Sequence, residues 1–313
     1  MYVDSPALAL LDRALVRVLP AVPKPVVRRI SSRYIAGTTL ADACRVVAGL
    51  NAEGKLATVD VLGEEIANPD EAATITQGYL DALEAIERNG LDANVSVKLT
   101  GLGLELDVDL ARRNLSTVVE AAGARGNFVR IDMEDSTTVD DTLALYRELR
   151  LAGRDNVGVV LQSRLHRTID DVRALADLEP SVRLCKGIYL EPASVAHTDY
   201  EEIRAAFVRA LDELLRSGAY VAIATHDTFL LEHAKRLLRE HGRTPDRYEF
   251  QMLLGVRPDL GDALVRDGHR LRIYVPFGTH WYEYSLRRLQ ENPKIAGYVA
   301  ADTVGRFLPG RSR

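Results

Sequence analysis

Side chains able to do chemistry crowd one stretch near the end of the chain, residues 274–291, which runs Tyr274-Val-Pro-Phe-Gly-Thr-His-Trp-Tyr-Glu-Tyr-Ser-Leu-Arg-Arg-Leu-Gln-Glu291. Residues 271–275 are an apolar strand candidate, broken by Pro276 and Gly278. Thr279 stands where it can cap a helix that runs to about Glu291, and Asn292 and Pro293 stop it. On that helix Tyr284, Arg287, Arg288 and Glu291 fall at i, i+3, i+4 and i+7, so they share one face. Two adjacent guanidiniums beside a phenol suit a small carboxylate and a ring stacked over it. The same four residues also describe a solvated basic face with one internal salt bridge, and alone they do not separate the two readings.

Other reactive groups end a series of short β-branched runs: Asp60, Lys98, Asp132, Gln162, Arg183 with Lys186, Thr225 with His226, Gln251 and Tyr274. Lys98 has two readings, a Schiff-base nucleophile or a fixed positive charge for a substrate carboxylate. Arg287 and Arg288 favour the second, since all three cations would serve one anionic ligand. Asp132 is either a general base or a group that orients Tyr274 or a cation. Gly187, with no side chain, lets backbone approach a ligand beside Arg183 and Lys186, and residues 190–198 form a loop long enough to cover it. Gly101-Leu-Gly103 lacks the remainder of a dinucleotide fingerprint, because position 106 is Leu. The histidines show no metal-ligand spacing, and His226 and Asp227, as sequence neighbours on a strand, point to opposite faces.

Something must bring these groups together. From residue 56 onward, strand candidates at 57–61, 95–99, 128–132, 157–162, 182–186, 220–225, 248–252 and 271–275 alternate with helical patterns such as 72–88, 110–123 and 200–215. Eight strand-then-helix units without a hairpin signal predict an α/β fold, a closed (β/α)8 barrel of the TIM type, with a doubly wound sheet as the alternative. In such a barrel the C-terminal strand ends meet at one mouth, so the polar residues just named would line a single site. Helical stretches at 6–19, 25–36 and 40–50 precede the barrel. We therefore expect an N-terminal helical arm over 1–54 and a catalytic barrel over 55–313, one structural domain overall.

Composition narrows the function classes. Of 313 residues 47% are hydrophobic and 27% charged, with 40 basic against 45 acidic side chains, a balance that disfavours a nucleic-acid binder. Cys44 and Cys185 sit in apolar segments and read as reduced thiols of a cytoplasmic protein. No secretory signal is expected, since Asp4, Asp12, Arg13 and Arg17 interrupt the apolar start, and no run is long enough to span a bilayer. Residues 8–19 are amphipathic, and packing against the rest of the domain is favoured over contact with a membrane surface.

Taken together, Val95-Ser-Val-Lys-Leu-Thr100, Ile131-Asp132, Arg183-Leu-Cys-Lys-Gly-Ile-Tyr189, Ala224-Thr-His-Asp227, Phe250-Gln-Met-Leu253, and Tyr274-Val-Pro-Phe-Gly-Thr-His280 with Tyr284-x-x-Arg-Arg288 resemble the proline dehydrogenase family, in its short monofunctional bacterial form. The likeness runs from about Asp60 to Glu291 in order. It implies a distorted (β/α)8 barrel that holds FAD without a Rossmann module and oxidises L-proline to 1-pyrroline-5-carboxylate by hydride transfer to flavin N5. By the same resemblance, Arg287, Arg288 and Lys98 clamp the proline carboxylate, Tyr284 packs over the ring, and Leu253 and Leu184 complete the walls. Glu64 pairs with Arg287 as a gate, and Asp132 and Tyr274 form a hydrogen-bonded pair beneath the substrate. Arg183 lies near flavin N5. Gln162, Lys186, Gly187, Ile188, Thr225 and His226 hold the flavin and its chain, with a contact from the Met133 backbone.

The resemblance further implies electron transfer to a quinone of the respiratory chain, hence a peripheral encounter with the cytoplasmic side of the inner membrane, and a separate pyrroline-5-carboxylate dehydrogenase as partner. Leu190 and Asp227 depart from the family pattern, where tryptophan and asparagine are common. Outside the family, two other readings fit the same barrel: a Schiff-base lysine aldolase or lyase using Lys98 or Lys186, and a non-catalytic small-acid binder.

Overall fold

A computed structural model describes residues 33–63, 66–282 and 284–285. The predicted rhythm closes on itself. Strands β1 (Leu56–Val61), β2 (Ala93–Val97), β3 (Val129–Ile131), β4 (Val157–Gln162), β5 (Ser181–Cys185), β6 (Tyr220–Ala224), β7 (Tyr248–Leu253) and β8 (Leu271–Phe277) form one closed barrel in chain order. All pairings are parallel, including the closing pair, where Ala57 faces Ile273 and Asp60 faces Pro276. Helix α1 (Leu40–Ala52) precedes the barrel. The crossover helices are α2 (Pro69–Arg88), α3 (Val108–Gly123), α4 (Val139–Leu151), α5 (Thr168–Leu175), α6 (Tyr200–Arg216), α7 (Thr228–Glu240) and α8 (Pro258–Arg266).

Successive strand residues point to opposite faces. One set, with Val59, Val97, Ile131, Val182, Ile223 and Val275, is buried in the apolar layer shared with the helices. The alternate set fills the barrel and is polar to an unusual degree. Near its base the Thr58 hydroxyl donates to Asn94 at 2.6 Å, Arg272 Nε donates to Glu249 at 2.8 Å, and Arg130 donates to the carbonyls of Val159 and Ser181. Branched apolar residues usually fill such an interior. Here buried charges take much of that place: Arg272 pairs with Glu249, and Arg130 is held by two backbone carbonyls and the Ser181 hydroxyl.

Three local expectations change. β8 runs through Pro276 to Phe277 rather than stopping at Val275. Pairing with β7 ends at Tyr274, so no neighbour on that side asks for the amide hydrogen that proline lacks. Residues 33–36 are not helical; Ala36 N–H donates to the Pro276 carbonyl at 2.9 Å and Gly278 N–H to Gly37, which ties the segment before α1 to the end of β8. Among the described residues the last helix begins at Trp281, two residues after Thr279. α1 packs on β1 and β8, with Ala43 and Val47 in the common core. The stretch expected to be helical over 6–19 lies outside the described residues, as do Glu64, Arg287 and Arg288. Among the described residues no helix is long and apolar enough to cross a membrane.

Candidate active site

The centre of the barrel mouth is Asp132, the first residue after β3, whose backbone N–H donates to Val97 at 2.8 Å. One carboxylate oxygen accepts from Arg183 Nη1 at 2.5 Å and from the Ser96 hydroxyl at 2.6 Å; the other accepts from the Tyr274 hydroxyl at 2.9 Å. Lys98 Nζ lies 3.7 Å from Asp132, donates to Tyr274 at 3.2 Å and to Asp60 at 3.1 Å. Tyr79, reaching in from α2, donates to the other oxygen of Asp60 at 3.2 Å. Five strands and one helix thus contribute to one buried network.

The electrostatics follow. Burial works to raise the Asp132 pKa, but the charges of Arg183 and Lys98 and the hydrogen bonds from Ser96 and Tyr274 outweigh it and hold the carboxyl below its usual range. Burial, then the charges of Asp132 and Asp60, push the Tyr274 phenol well above its ordinary value, so it remains a donor. Asp132 therefore orients its neighbours rather than waiting for a proton. Arg183 is held by Asp132 and, through Nε, by Gln251 at 2.5 Å. Its Nη2 is buried and finds no partner among the described residues. A rigid guanidinium with an unspent donor at the mouth calls for an acceptor on a bound molecule.

Beside it the Gln162 amide donates to the carbonyls of Met133 and Glu134, at 3.2 and 2.6 Å, while its oxygen is also buried without a partner among the described residues. Gly187, at φ +95°, crosses just above: a Cβ there would collide with that oxygen and with the Arg164 side chain. An orphaned donor, an orphaned acceptor and a bare backbone side by side fit a flat heterocycle that carries both kinds of polar group, such as a flavin ring. Lys186 follows on the same loop, Thr225 is buried with its hydroxyl accepting the N–H of Asp227 at 3.1 Å, and His226 Nε2 accepts the N–H of Leu253 at 2.9 Å.

Residues 43–301 match the proline dehydrogenase family. The chain is 38% identical over 267 residues to proline dehydrogenase 1 of Bacillus subtilis subsp. natto, covering 85% of this chain and 88% of that one. The chain belongs to the proline dehydrogenase family. Proline dehydrogenase of Deinococcus radiodurans is 37% identical over 274 residues, with 86% and 88% covered. Among solved structures, proline utilization A from Bdellovibrio bacteriovorus, inactivated by N-propargylglycine, superposes with a TM-score of 0.80 at 22% identity, covering 89% of this chain. The chain spans 36% of that longer protein, a likeness of fold.

Within the proline dehydrogenase barrel most of the residues singled out from sequence meet. Lys98, Asp132, Arg183 and Tyr274 form the network, and Gln162, Lys186, Gly187, Thr225 and His226 end adjoining strands. Leu253 follows Gln251 on the inward register of β7 and is partly exposed at the mouth. Ile188 is exposed on the loop after β5. Tyr284 is 5% exposed and packs with Ile35, Leu62 and Trp281. Leu184 does not join them: Arg183 points inward, so its neighbour points outward, fully buried in the apolar layer under the helices. The Met133 carbonyl is already taken by Gln162.

Sequence reasoning passed over Ser96 and Tyr79 as participants, and placed Asp60 and Gln251 at the mouth without roles. Ser96, on β2, stands two residues before Lys98, the first residue after that strand, a signal that register supplies. Tyr79 left none, because it enters from a helix.

Proposed function

We propose that this chain is an FAD-dependent L-proline dehydrogenase that yields 1-pyrroline-5-carboxylate. Family membership supports the substrate, and the observation that carries the chemistry is the buried Arg183 donor, fixed by Asp132 and Gln251 beside the Gln162–Gly187 cradle. Gln162, Arg183, Lys186, Gly187, Ile188, Thr225 and His226 would hold the flavin. When bound, the flavin supplies a hydride acceptor. Lys98, with Arg287 and Arg288, receives the substrate carboxylate and fixes the ring carbon next to nitrogen toward that acceptor. Tyr284 and Leu253 would wall the pyrrolidine ring, and the family resemblance assigns Glu64 and Arg287, both outside the described residues, as a pair that would gate it. Loss of one proton from the ring ammonium and then of one hydride from carbon leaves the protonated imine, which gives a second proton to solvent to become the imine of the product. A cationic pocket lowers the pKa of the substrate ammonium and favours release of that proton.

Lys98 Nζ is held between Asp60 at 3.1 Å and Asp132 at 3.7 Å, fixed as an ion-paired donor that suits reception of an anion. That arrangement supports the dehydrogenase reading over a Schiff-base lyase. Electrons would pass to a quinone, with peripheral contact at the cytoplasmic face of the inner membrane, and a separate pyrroline-5-carboxylate dehydrogenase would consume the product.

The deciding experiment is the visible spectrum of the purified protein, anaerobic, before and after L-proline. A flavin spectrum bleached by proline is expected. A flavin spectrum indifferent to proline would refute the substrate, and a protein that binds no FAD would refute the class.

A further inference from the structure

Asp227 sits at a junction of three elements. It caps α7, accepting the Phe229 N–H at 3.1 Å. From α6, Arg204 donates to both its oxygens, each at 2.9 Å, and the Tyr200 hydroxyl donates at 2.8 Å. From the end of β5, Lys186 donates at 3.3 Å, the longest of these contacts. Lys186 Nζ and the Arg204 guanidinium lie 4.8 and 4.3 Å from the centre of the Tyr200 ring. Glu201 accepts from the remaining Arg204 nitrogen at 2.9 Å. The Asp227 side chain is 4% exposed, whereas that of Lys186 is 30% exposed.

A carboxylate offers about four lone-pair directions. Arg204 takes two in a fork, and Tyr200 and the Phe229 amide take the others, so Lys186 shares an oxygen already claimed. A lysine facing a buried carboxylate with no other cation would close a short ion pair and be withdrawn from any ligand. We propose that Arg204 is a positioning residue for Lys186: by satisfying the charge of Asp227 it leaves the lysine ammonium oriented over Tyr200 but available to the flavin cofactor. The inference rests on the flavoenzyme reading and on Lys186 belonging to the cofactor cradle. It also explains how a nearly buried carboxylate is accommodated at position 227, since Arg204 offsets its charge.

The test is the Kd of the full-length apoprotein for FAD, read from quenching of flavin fluorescence on titration. Lys186→Met is expected to weaken binding by about tenfold, the loss of one charge-assisted contact. Arg204→Met should weaken it by a similar factor although Arg204 lies one residue removed from the cofactor. Adding Asp227→Asn to Arg204→Met should restore much of that loss, because the trapping charge is gone while asparagine still caps α7. A double variant no tighter than Arg204→Met alone would overturn the proposal and mark Arg204 as merely structural. So would an Arg204→Met protein that binds FAD as the parent does. Should Arg204→Met not fold, the double variant Arg204→Met/Asp227→Asn, in which neither charge is stranded, must by itself bind within about threefold of the parent; a loss as large as that of Lys186→Met overturns the proposal. If Lys186→Met leaves the Kd unchanged while the parent binds FAD, the proposal and the cradle assignment fall but the flavoenzyme reading stands. A parent that binds no FAD overturns both readings.

Discussion

Replacing Asp132 by alanine should be among the most costly single changes in the barrel. Asp132 compensates Arg183 at 2.5 Å and faces Lys98 at 3.7 Å. Arg183 is 6% exposed, so its charge has no water to turn to once the carboxylate is gone. Removing one partner of a buried ion pair typically costs ~3–5 kcal/mol, and Ser96 and Tyr274 lose their acceptor as well. Arg183→Met alone should cost about 2–3 kcal/mol, because Asp132 keeps its bonds from Ser96 and Tyr274 and the nearby lysine. In the double variant neither charge is stranded, so its loss should fall short of the sum by ~2 kcal/mol or more. Urea unfolding of the apoprotein followed by far-UV circular dichroism measures all four corners of the cycle.

The pH dependence has a definite sign. The folded Asp132 pKa lies below its ordinary value of 3.8, so its stabilisation is complete above that pH and fades as pH falls through the folded value. The Asp132→Ala penalty should accordingly be flat across neutral pH and shrink only in acid. A penalty under ~1 kcal/mol, or additive losses in the cycle, would refute the view that this pair organises the mouth.

Further outcomes are expected elsewhere. Gly187→Ala places a Cβ against Gln162 Oε1 in a left-handed backbone, so the purified protein should carry little flavin, read as the ratio of visible to ultraviolet absorbance; normal flavin loading would argue against the cradle. Tyr284→Ser should relax discrimination against 4-hydroxyproline relative to proline in kcat/KM, and an unaltered preference would remove Tyr284 as ring wall. Burial, aided by the charge of Lys235, lowers the His269 pKa, and its ring accepts from or donates to the Tyr248 hydroxyl at 2.7 Å. A depressed histidine contributes stability above its ordinary 6.5 that is lost as pH falls through the folded value, so His269→Gln should flatten the acid-side decline in Tm between pH 7 and 5.

Much of the architecture was legible in the chain because it depends on short-range pattern. β-branched runs spaced by amphipathic helices leave few folds other than a parallel barrel, and the polar residue at the end of each run marks the mouth. Lys98, Asp132, Arg183 and Tyr274 announced themselves in this way. Leu184 was misplaced because its motif context suggested the pocket, while the two-residue period of β5, anchored by an inward Arg183, sends it to the helices. Pro276 suggested a strand break, but whether proline breaks a strand depends on which neighbour needs its missing hydrogen, a fact of pairing.

By itself, then, the sequence determined the barrel, its mouth and the residue types gathered there, since local periodicity and register parity carry that information. Only the tertiary structure decided the partnerships. That Asp60 and Tyr79 stand behind Lys98, that Ser96 and Gln251 lock Arg183, and that Arg204 shares Asp227 with Lys186 all depend on contacts between strands and helices distant along the chain. Charge pairing in a desolvated interior is set by distances of a few ångströms, and no linear pattern encodes those.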